Sequence, residues 1–399
     1  MKNEVWVTGV GITCSMGKGF ATFVEGLQSG KSFLSPCKPP YFSAFTASSN
    51  VDSHPAFPDD RKSWLGIDAA RQAWESAGKP TVVAKKIGIF LGVGLSSITP
   101  VELANDVYPH LSDQSFDRIS MAKDLAQNKV SPRRHIPDLL TTWLAQEYDI
   151  TGLQGTSFSA CAASAQAIAE GFQAIRRGHL CMAMVGGQDS MDHPMGLLSF
   201  AVLGALSNDF CRPFDKRRNG FVLGEGSAVL ILESAAHAKR RNASPLAKIL
   251  GTGTSMDAWN VTAPHPAGDG AERSMRNALR SAQLRPEQVD YINAHGTGTP
   301  LGDVAESQAI FRVFGGNTPV SSVKGALGHT IAAAGAIESV VSIAALRHRF
   351  LPGTAGLEQQ DSSCQILAVH APRDKSPNIV LSNSFGFGGQ NCSIVFGAV

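Results

Sequence analysis

The sequence predicts an α/β protein built from two related halves. Short apolar runs alternate with longer segments of helical periodicity along the 399 residues, which is typical of βαβ units around a mostly parallel sheet. One succession of motifs occurs twice along the chain, which indicates an internal repeat. The 40 glycines and the predominance of aliphatic over aromatic side chains favour tight strand–helix turns over a β-sandwich.

Hydrophobic periodicity predicts the elements one after another. Short apolar runs bounded by glycine or polar residues predict strands at 5–10, 87–93, 182–186, 228–232, 289–292 and 379–382. Apolar residues spaced three and four apart predict helices at 67–77, 139–147, 162–177, 271–281, 304–313 and 331–347. Residues 35–62, rich in Pro, Ser and Phe, predict an irregular excursion, and 98–130 predicts a further helical stretch.

The internal repeat predicts how the chain is organised. The run SFSAC at 157–161 leads into a small-residue helix, and SSVK at 321–324 leads through a Gly-His pair into a second one. A short strand and a glycine-rich turn are expected after each helix, at 185–188 and 385–390. We therefore expect residues 1–240 and 241–399 to form equivalent halves that face each other across a shared site.

Composition argues against several classes of protein. The net charge of +2, from 35 basic and 33 acidic residues, argues against a nucleic-acid or polybasic membrane binder. We expect no membrane span and no signal peptide, because apolar runs are short and the N-terminus reads MKNEVWVTGV. The seven cysteines are scattered without zinc spacing, so neither disulfides nor a metal centre are expected. These features predict a soluble cytoplasmic protein.

Cys161 is the candidate nucleophile. It precedes a predicted helix whose apolar residues Ala165, Ile168 and Phe172 follow a single face. At the N-terminus of a helix the dipole favours a thiolate, and free backbone N–H groups can hold a carbonyl oxygen that is being attacked. A small buried hydrophobic residue is the alternative interpretation, since most free cysteines are buried.

Two histidines and a lysine are candidates for the remaining chemistry. His295 lies just past a predicted strand, in the run NAHGTGTP, and His329 lies at the start of the second small-residue helix. A helix N-terminus favours neutral imidazole, which can donate a hydrogen bond to a developing oxyanion. Lys324 could orient an acidic or imidazole partner, although a solvated lysine is the simpler alternative.

The run NSFGFGG at 383–389 predicts a gate. Phe385 and Phe387 stand among three glycines, where a phenyl ring is poorly placed for core packing and free to swing. Neither this run nor GTGTP has the spacing of a dinucleotide fingerprint or a P-loop, so nucleotide binding is not expected.

Together these motifs resemble the β-ketoacyl-[acyl-carrier-protein] synthases, most closely the synthase II type. The motifs occur in the family's order, and the similarity runs from residue 5 to residue 391: SACAAS, PFDKRRNGFVLGEG, NAHGTGTP, VKGALGH and NSFGFGG. The resemblance implies a thiolase fold, with two pseudo-repeated βαβαβαββ halves in a five-layer α-β-α-β-α stack, normally dimeric.

The resemblance also implies a Cys-His-His site for decarboxylative condensation. Cys161 would take an acyl chain from an acyl carrier protein, and the N–H groups of Cys161 and Phe387 would hold the thioester oxygen. His295 and His329 would promote decarboxylation of malonyl-carrier protein and stabilise the enolate that attacks the acyl group. No bound metal or organic cofactor is implied, because phosphopantetheine arrives on the carrier protein.

Other positions match supporting residues of the family. Lys324 matches the family lysine, and Glu306 is its expected ion-pair partner. Asp303 and Glu338 match acidic residues of structural weight. Phe387 matches the gating phenylalanine, and Phe385 is its neighbour. The hydroxyls that bind the phosphopantetheine arm are matched by Thr262, Thr297 and Thr299.

Departures from the family pattern concern the partners. Lys62 and Lys129 match a basic cluster that meets the acidic carrier protein, but basic residues are replaced at Leu65, Gly66 and Asn208. The segment 131–137 is charged where the family places apolar residues near the acyl tunnel. These differences favour a specialised polyketide or polyene pathway over housekeeping fatty-acid synthesis.

Several alternatives share the fold. A non-catalytic chain-length-factor subunit typically lacks the nucleophile, a thiolase uses a second cysteine, and the synthase III type has Asn in place of one histidine. All three of these alternatives are opposed by the joint presence of Cys161, His295 and His329. The sequence is compatible both with a homodimer of this catalytic chain and with a heterodimer with a chain-length factor.

Overall fold

The main sheet uses one strand order twice. The computed structural model describes residues 3–36, 45–46, 51–57, 60–94, 104–112, 115–127, 129–130, 136–191 and 194–399, so most of the charged segment 131–137 lies outside it. The first-half strands lie in the order β3-β2-β4-β5-β1: β1 (Val5–Cys14), β2 (Ile87–Val93), β3 (Gln154–Ser157), β4 (Met182–Ser190) and β5 (Glu225–Ser234).

The second half repeats this order as β8-β7-β9-β10-β6. Its strands are β6 (Ala247–Met256), β7 (Tyr291–Asn293), β8 (Pro319–Ser321), β9 (Ile379–Phe385) and β10 (Gln390–Gly397). Antiparallel pairing of β1 with β6 joins the halves. The repeated order confirms the predicted pseudo-repeat, while the exact boundary at residue 240 stays a prediction. The expectation of a mostly parallel sheet was wrong, because β5 and β10 run antiparallel to both of their neighbours.

The helices alternate with these strands along the chain. Their bounds are α1 (Phe20–Ser29), α2 (Arg61–Ser76), α3 (Arg118–Ala126), α4 (Leu139–Glu147), α5 (Ala163–Arg176), α6 (Pro194–Val202), α7 (Ala235–Arg240), α8 (Asp269–Ala282), α9 (Pro300–Phe314), α10 (Lys324–Leu327) and α11 (Ala334–His348).

Side-chain alternation along the strands builds the five layers. In β4, Met184 packs outward with α2 and α4, and Val185 packs inward with α5 and α11. In β9, Leu381 packs outward with α8 and α9, and Val380 packs inward against the same central helices. Because neighbouring residues of a strand point to opposite faces, each half of the sheet lies between two helical layers. This confirms the α-β-α-β-α stack.

The central helix α11 is buried on every side from Ala334 to Leu346. The segment Ile331–His348 is long and apolar enough to cross a membrane, but 89% of it is buried inside the protein. A helix that packs between two sheets needs no polar face, which explains its composition.

Elements with strong apolar periodicity were predicted better than short or polar strands. The predictions at 87–93 and 139–147 match β2 and α4 in both bounds. Strands β3, β6, β8 and β10 were not predicted, because Gly, Ser, Thr, Asn and Gln interrupt their apolar pattern. Residues 185–188 belong to β4 and form no turn, contrary to the prediction.

Candidate active site

Two strained turns form the centre of the site. In the first half Ala160 has φ +48° and opens the 3₁₀ turn Ala160–Ala162, which continues into α5. In the second half Ile331 has φ +44° and opens the 3₁₀ turn Ile331–Ala333, which continues into α11. A positive φ at residues with a Cβ costs roughly 1–3 kcal/mol and persists where packing over-determines it.

The turns bring the three predicted reactive residues together. The Nε2 atom of His329 lies 3.1 Å from the Sγ atom of Cys161. The rings of His295 and His329 meet edge to face, with centroids 5.3 Å apart. One donor atom from each of Cys161, His295 and His329 lies within 4.8 Å of the other two, and all three residues are buried.

Backbone contacts select the proton position on His329. The Ile331 N–H donates to His329 Nδ1 at 3.3 Å, so the ring proton lies on Nε2, which faces the sulfur. The His329 N–H donates to the Val222 carbonyl at 2.7 Å, and the Gly224 N–H donates to the His329 carbonyl at 3.0 Å. These bonds hold both the backbone and the ring.

Lys324 favours the same tautomer, with the proton on Nε2, at His295. Its ammonium donates to the His295 carbonyl at 2.6 Å and lies 3.4 Å from His295 Nδ1. A cation beside Nδ1 favours the tautomer with the proton on Nε2. Burial, with Lys324 adding to it, lowers the pKa of both His295 and His329 well below the ordinary value. Both imidazoles are therefore neutral donors through Nε2.

The Cys161 thiol is protonated in the resting site. Burial raises its pKa to about 11, although the charge of Lys324 and the N–H groups of Phe387 and Cys161 oppose that shift. Loss of water around the enclosed sulfur favours the thiol, whereas the position at a helix N-terminus was expected to favour the thiolate. The same two N–H groups act on the sulfur, and their role as an oxyanion hole stays a prediction.

The ion-pair partner of Lys324 is Glu338, so the expected pairing with Glu306 was wrong. Lys324 and Glu338 form a buried salt bridge, and burial raises the pKa of Glu338 to about 7 against the opposing effect of Lys324. Glu306 instead accepts the N–H groups of His295 at 2.8 Å and Gly296 at 2.7 Å. A carboxylate already satisfied by two backbone donors holds the shape of the loop that carries His295.

Asp303 supports the same loop from its other end. It accepts the N–H groups of Phe214 at 2.7 Å and Gly298 at 3.0 Å, and it lies 3.8 Å from Arg218. Burial raises its pKa to about 7. The carboxylate ties the run that follows His295 to the segment around Phe214.

A cavity of about 340 Å³ leads to the reactive residues. Its walls include the hydroxyl residues Thr262, Thr297 and Thr299. The hydroxyls of Thr297 and Thr299 lie 2.9 Å apart, and that of Thr299 accepts the N–H of Gly302 at the start of α9. The volume lies in the range of small-molecule sites.

The predicted gate borders this cavity. Phe387 packs near Phe200, with ring centroids 6.4 Å apart, and Phe385 lies 6.0 Å from the His295 ring. Gly388 and Gly389 adopt φ +83° and +76°, a region that favours glycine. The turn after Phe387 therefore favours glycine at both positions.

The site also has the donor types of a metal centre. Among the residues that the structure describes, Cys161, His295 and His329 form the set of His, Cys, Asp or Glu side chains spaced for an ion. A metal needs an unprotonated nitrogen, whereas both Nε2 atoms carry protons and the Lys324 ammonium lies beside His295. The arrangement suits hydrogen-bond donation better than cation binding.

The structure revises the predicted carrier surface. Lys62 is only 6% exposed, and Leu65 and Gly66 are buried, so these positions of α2 form no surface patch. Lys129 is near the surface and pairs with Asp124 at 3.3 Å. Because Leu65 and Gly66 are buried, the absence of basic side chains there does not indicate a weaker binding surface for the carrier protein.

Sequence reasoning missed the backbone partners of His329. Ile331 supplies a donor through its N–H alone, so its side chain carries no signal. Val222 and Gly224 lie in the run PFDKRRNGFVLGEG, which was recognised as a motif without a role. Asn383, which donates to Glu306 at 3.2 Å, lies in the recognised NSFGFGG run.

Comparisons with known proteins identify the family of the chain. The family models for the beta-ketoacyl synthase N-terminal and C-terminal domains match residues 2–238 and 246–358. The 3-oxoacyl-[acyl-carrier-protein] synthase 2 of Coxiella burnetii is 34% identical over 424 aligned residues, covering 100% of this chain and 99% of the relative. A putative mitochondrial 3-oxoacyl-[acyl-carrier-protein] synthase of Schizosaccharomyces pombe is 40% identical, with 71% of each chain covered.

Solved structures extend the comparison. A type II polyketide ketosynthase in complex with its acyl-carrier protein matches with a TM-score of 0.88 and 26% identity over 100% of both chains. The ishigamide ketosynthase/chain length factor matches with a TM-score of 0.84 and 30% identity over 100% of both chains. With two domain models spanning most of its length and a relative matched from end to end, the chain belongs to the beta-ketoacyl synthase family and is a condensing enzyme of the acyltransferase class.

Proposed function

We propose that Cys161 carries an acyl group that is extended by decarboxylative condensation with a malonyl thioester, building a fatty-acyl or polyketide chain. The observation that carries the proposal is the convergence of two neutral imidazole donors, His295 and His329, beside a buried thiol. Two donors and a nucleophile within one cavity match the needs of a reaction that passes through two anions.

The first step loads the enzyme. The Cys161 sulfur attacks the carbonyl of an acyl thioester, and the N–H groups of Cys161 and Phe387 hold the developing oxyanion. The tetrahedral intermediate collapses with loss of the carrier thiol, which leaves with the proton that Cys161 gives up. Because the thiol is protonated at rest, the His329 Nε2–H, 3.1 Å away, stabilises negative charge on sulfur as it develops.

The second step makes the new bond. The malonyl carboxylate leaves as carbon dioxide, and the electron pair of the broken bond forms an enolate whose oxygen accepts the Nε2–H groups of His295 and His329. Neutral imidazoles donate to this oxygen without first changing protonation. The enolate carbon attacks the acyl carbonyl on Cys161, and the released sulfur takes up one proton.

The same proposal assigns the surrounding residues. Lys324, paired with Glu338, keeps His295 in its donor tautomer. Thr262, Thr297 and Thr299 line the cavity where a phosphopantetheine arm would enter from a carrier protein, and Phe387 serves as the gate. Glu306 and Asp303 support the His295 loop.

We further propose a cytoplasmic dimer that works with an acyl carrier protein. Edge strand β3 ends the sheet, and Leu153 beside it is 48% exposed, which suits pairing with a second subunit. One of the similar structures is a ketosynthase in complex with its acyl-carrier protein, and another is a ketosynthase/chain length factor. The candidates for the second subunit are therefore a second copy of this chain and a paralogous partner.

Intact-mass analysis tests the function. The protein is incubated with acyl- and malonyl-carrier protein, and the carrier is weighed; a two-carbon β-keto extension is expected. Cys161→Ala should lose elongation by more than about 10³-fold, because no acyl group can be held. Cys14→Ala, a buried cysteine in β1, is the matched control and should elongate normally. Elongation at the native rate by Cys161→Ala would refute the proposal.

A further inference from the structure

Asp189 is a buried carboxylate that the proposed reaction does not use. It lies near the end of β4 and has no exposed surface. Its Oδ2 atom accepts the N–H of Ala332 at 3.0 Å, and its Oδ1 atom accepts the N–H of Ser190 at 2.9 Å. The carboxylate thus fills a small cradle made by two backbone donors.

This cradle is the counterpart of the oxyanion hole. Ala332 is the middle residue of its 3₁₀ turn, as Cys161 is of the first turn. Ser190 ends β4, and β4 holds the same place in its half as β9, which leads into Phe387. Each cradle takes one amide from each half: Cys161 and Phe387 at the reactive sulfur, and Ser190 and Ala332 at Asp189.

We propose that Asp189 is a positioning residue for His329, acting by filling this duplicate oxyanion hole. Its bond to Ala332 holds the turn Ile331–Ala333, and the turn aims the Ile331 N–H at His329 Nδ1. Because Ile331 is β-branched and has φ +44°, the turn would relax if Ala332 lost its acceptor. The catalytic part of this inference rests on the function proposed above.

Lys62 compensates the buried charge. It projects from α2, is itself buried, and its charge lowers the pKa of Asp189, whereas burial and the nearby Asp60 raise it. A buried carboxylate requires such a partner together with hydrogen-bond donors.

The test is Asp189→Asn, which keeps the size of the side chain but brings an NH₂ group against one backbone donor. We expect elongation kcat to fall by about 10- to 100-fold, the usual cost of a misplaced supporting group. Acylation of Cys161 should fall less than elongation, because its own oxyanion hole is untouched and His329 assists that step only through its contact with the sulfur. In ¹⁵N-histidine NMR spectra, His329 should change from the single Nε2–H tautomer to a mixture.

Glu233→Gln is the matched control, since Glu233 is a buried carboxylate of β5 paired with Arg241 and Thr8, away from the site. A folded Asp189→Asn protein with native kcat and a native His329 spectrum would overturn the inference. If the Asn variant does not fold, Asp189→Ser, which keeps one acceptor, gives the same test. If the wild-type protein neither acylates nor elongates, the proposed function fails, and the NMR comparison still decides whether Asp189 positions His329.

Discussion

The two halves use one backbone design for two different chemical tasks. Each has a strained residue, a 3₁₀ turn and a central helix, and the corresponding positions carry Cys161 and Ala332. Two positions before the first residue of each turn, the first half has Phe158 and the second half has His329. Phe158 is 53% exposed, whereas His329 is buried against Cys161. The comparison teaches that one or two side chains decide which of the proposed tasks, nucleophile or hydrogen-bond donor, a duplicated turn can perform.

The largest expected effect comes from removing the imidazole of the second half. His329→Ala should lower carbon dioxide release from malonyl-carrier protein by roughly 10²–10³-fold, because the enolate loses one of its two donors. Release is measured with ¹³C-labelled malonyl-carrier protein. His237→Ala removes a half-buried imidazole of α7 outside the site and should leave the rate unchanged. Normal release by His329→Ala would show that the second half does not supply a donor.

A smaller effect is expected on the pH dependence of stability. The folded pKa of His329 lies well below its unfolded value, so the contribution of neutral His329 is fully present above pH 6.5 and is lost as pH falls toward the folded pKa. His329→Asn should remove this acid-induced loss, about 1.4 kcal/mol per pH unit for one proton.

The measurement is denaturant unfolding at pH 7.5 and pH 5.5 (both about one unit from the unfolded pKa of histidine). His179→Asn, at an exposed histidine after α5, is the control and should keep the wild-type difference between the two pH values. An identical difference in His329→Asn would contradict the buried neutral state of His329.

The smallest effect concerns the strained turn of the first half. Ala160→Gly should raise the free energy of unfolding by up to about 1 kcal/mol, because glycine adopts φ +48° without the penalty of a Cβ. Ala162→Gly, two residues on at φ −93°, should lower it by about 1 kcal/mol. Thermal unfolding of both variants checks the pair, and equal destabilisation by the two would show that Ala160 is unstrained.

The sequence by itself determined the repeated organisation, the family resemblance and the candidate reactive set. Cys161, His295 and His329 each lie in a local run whose residue types and order are distinctive, so they were identified without a fold. Elements with an uninterrupted apolar period, such as β2 and α4, were also predicted to the residue. Local patterns carry this information because periodicity and motif spacing involve neighbouring residues.

Only the tertiary structure decided how the charges pair and where the protons lie. Lys324 pairs with Glu338 because the start of α10 and the core of α11 meet, and Asp189 reaches Ala332 from a strand 143 residues away. Enclosure of Cys161 raises the pKa of its thiol to about 11. Pairing and desolvation depend on which distant elements surround a group, and residue spacing along the chain does not encode that surrounding.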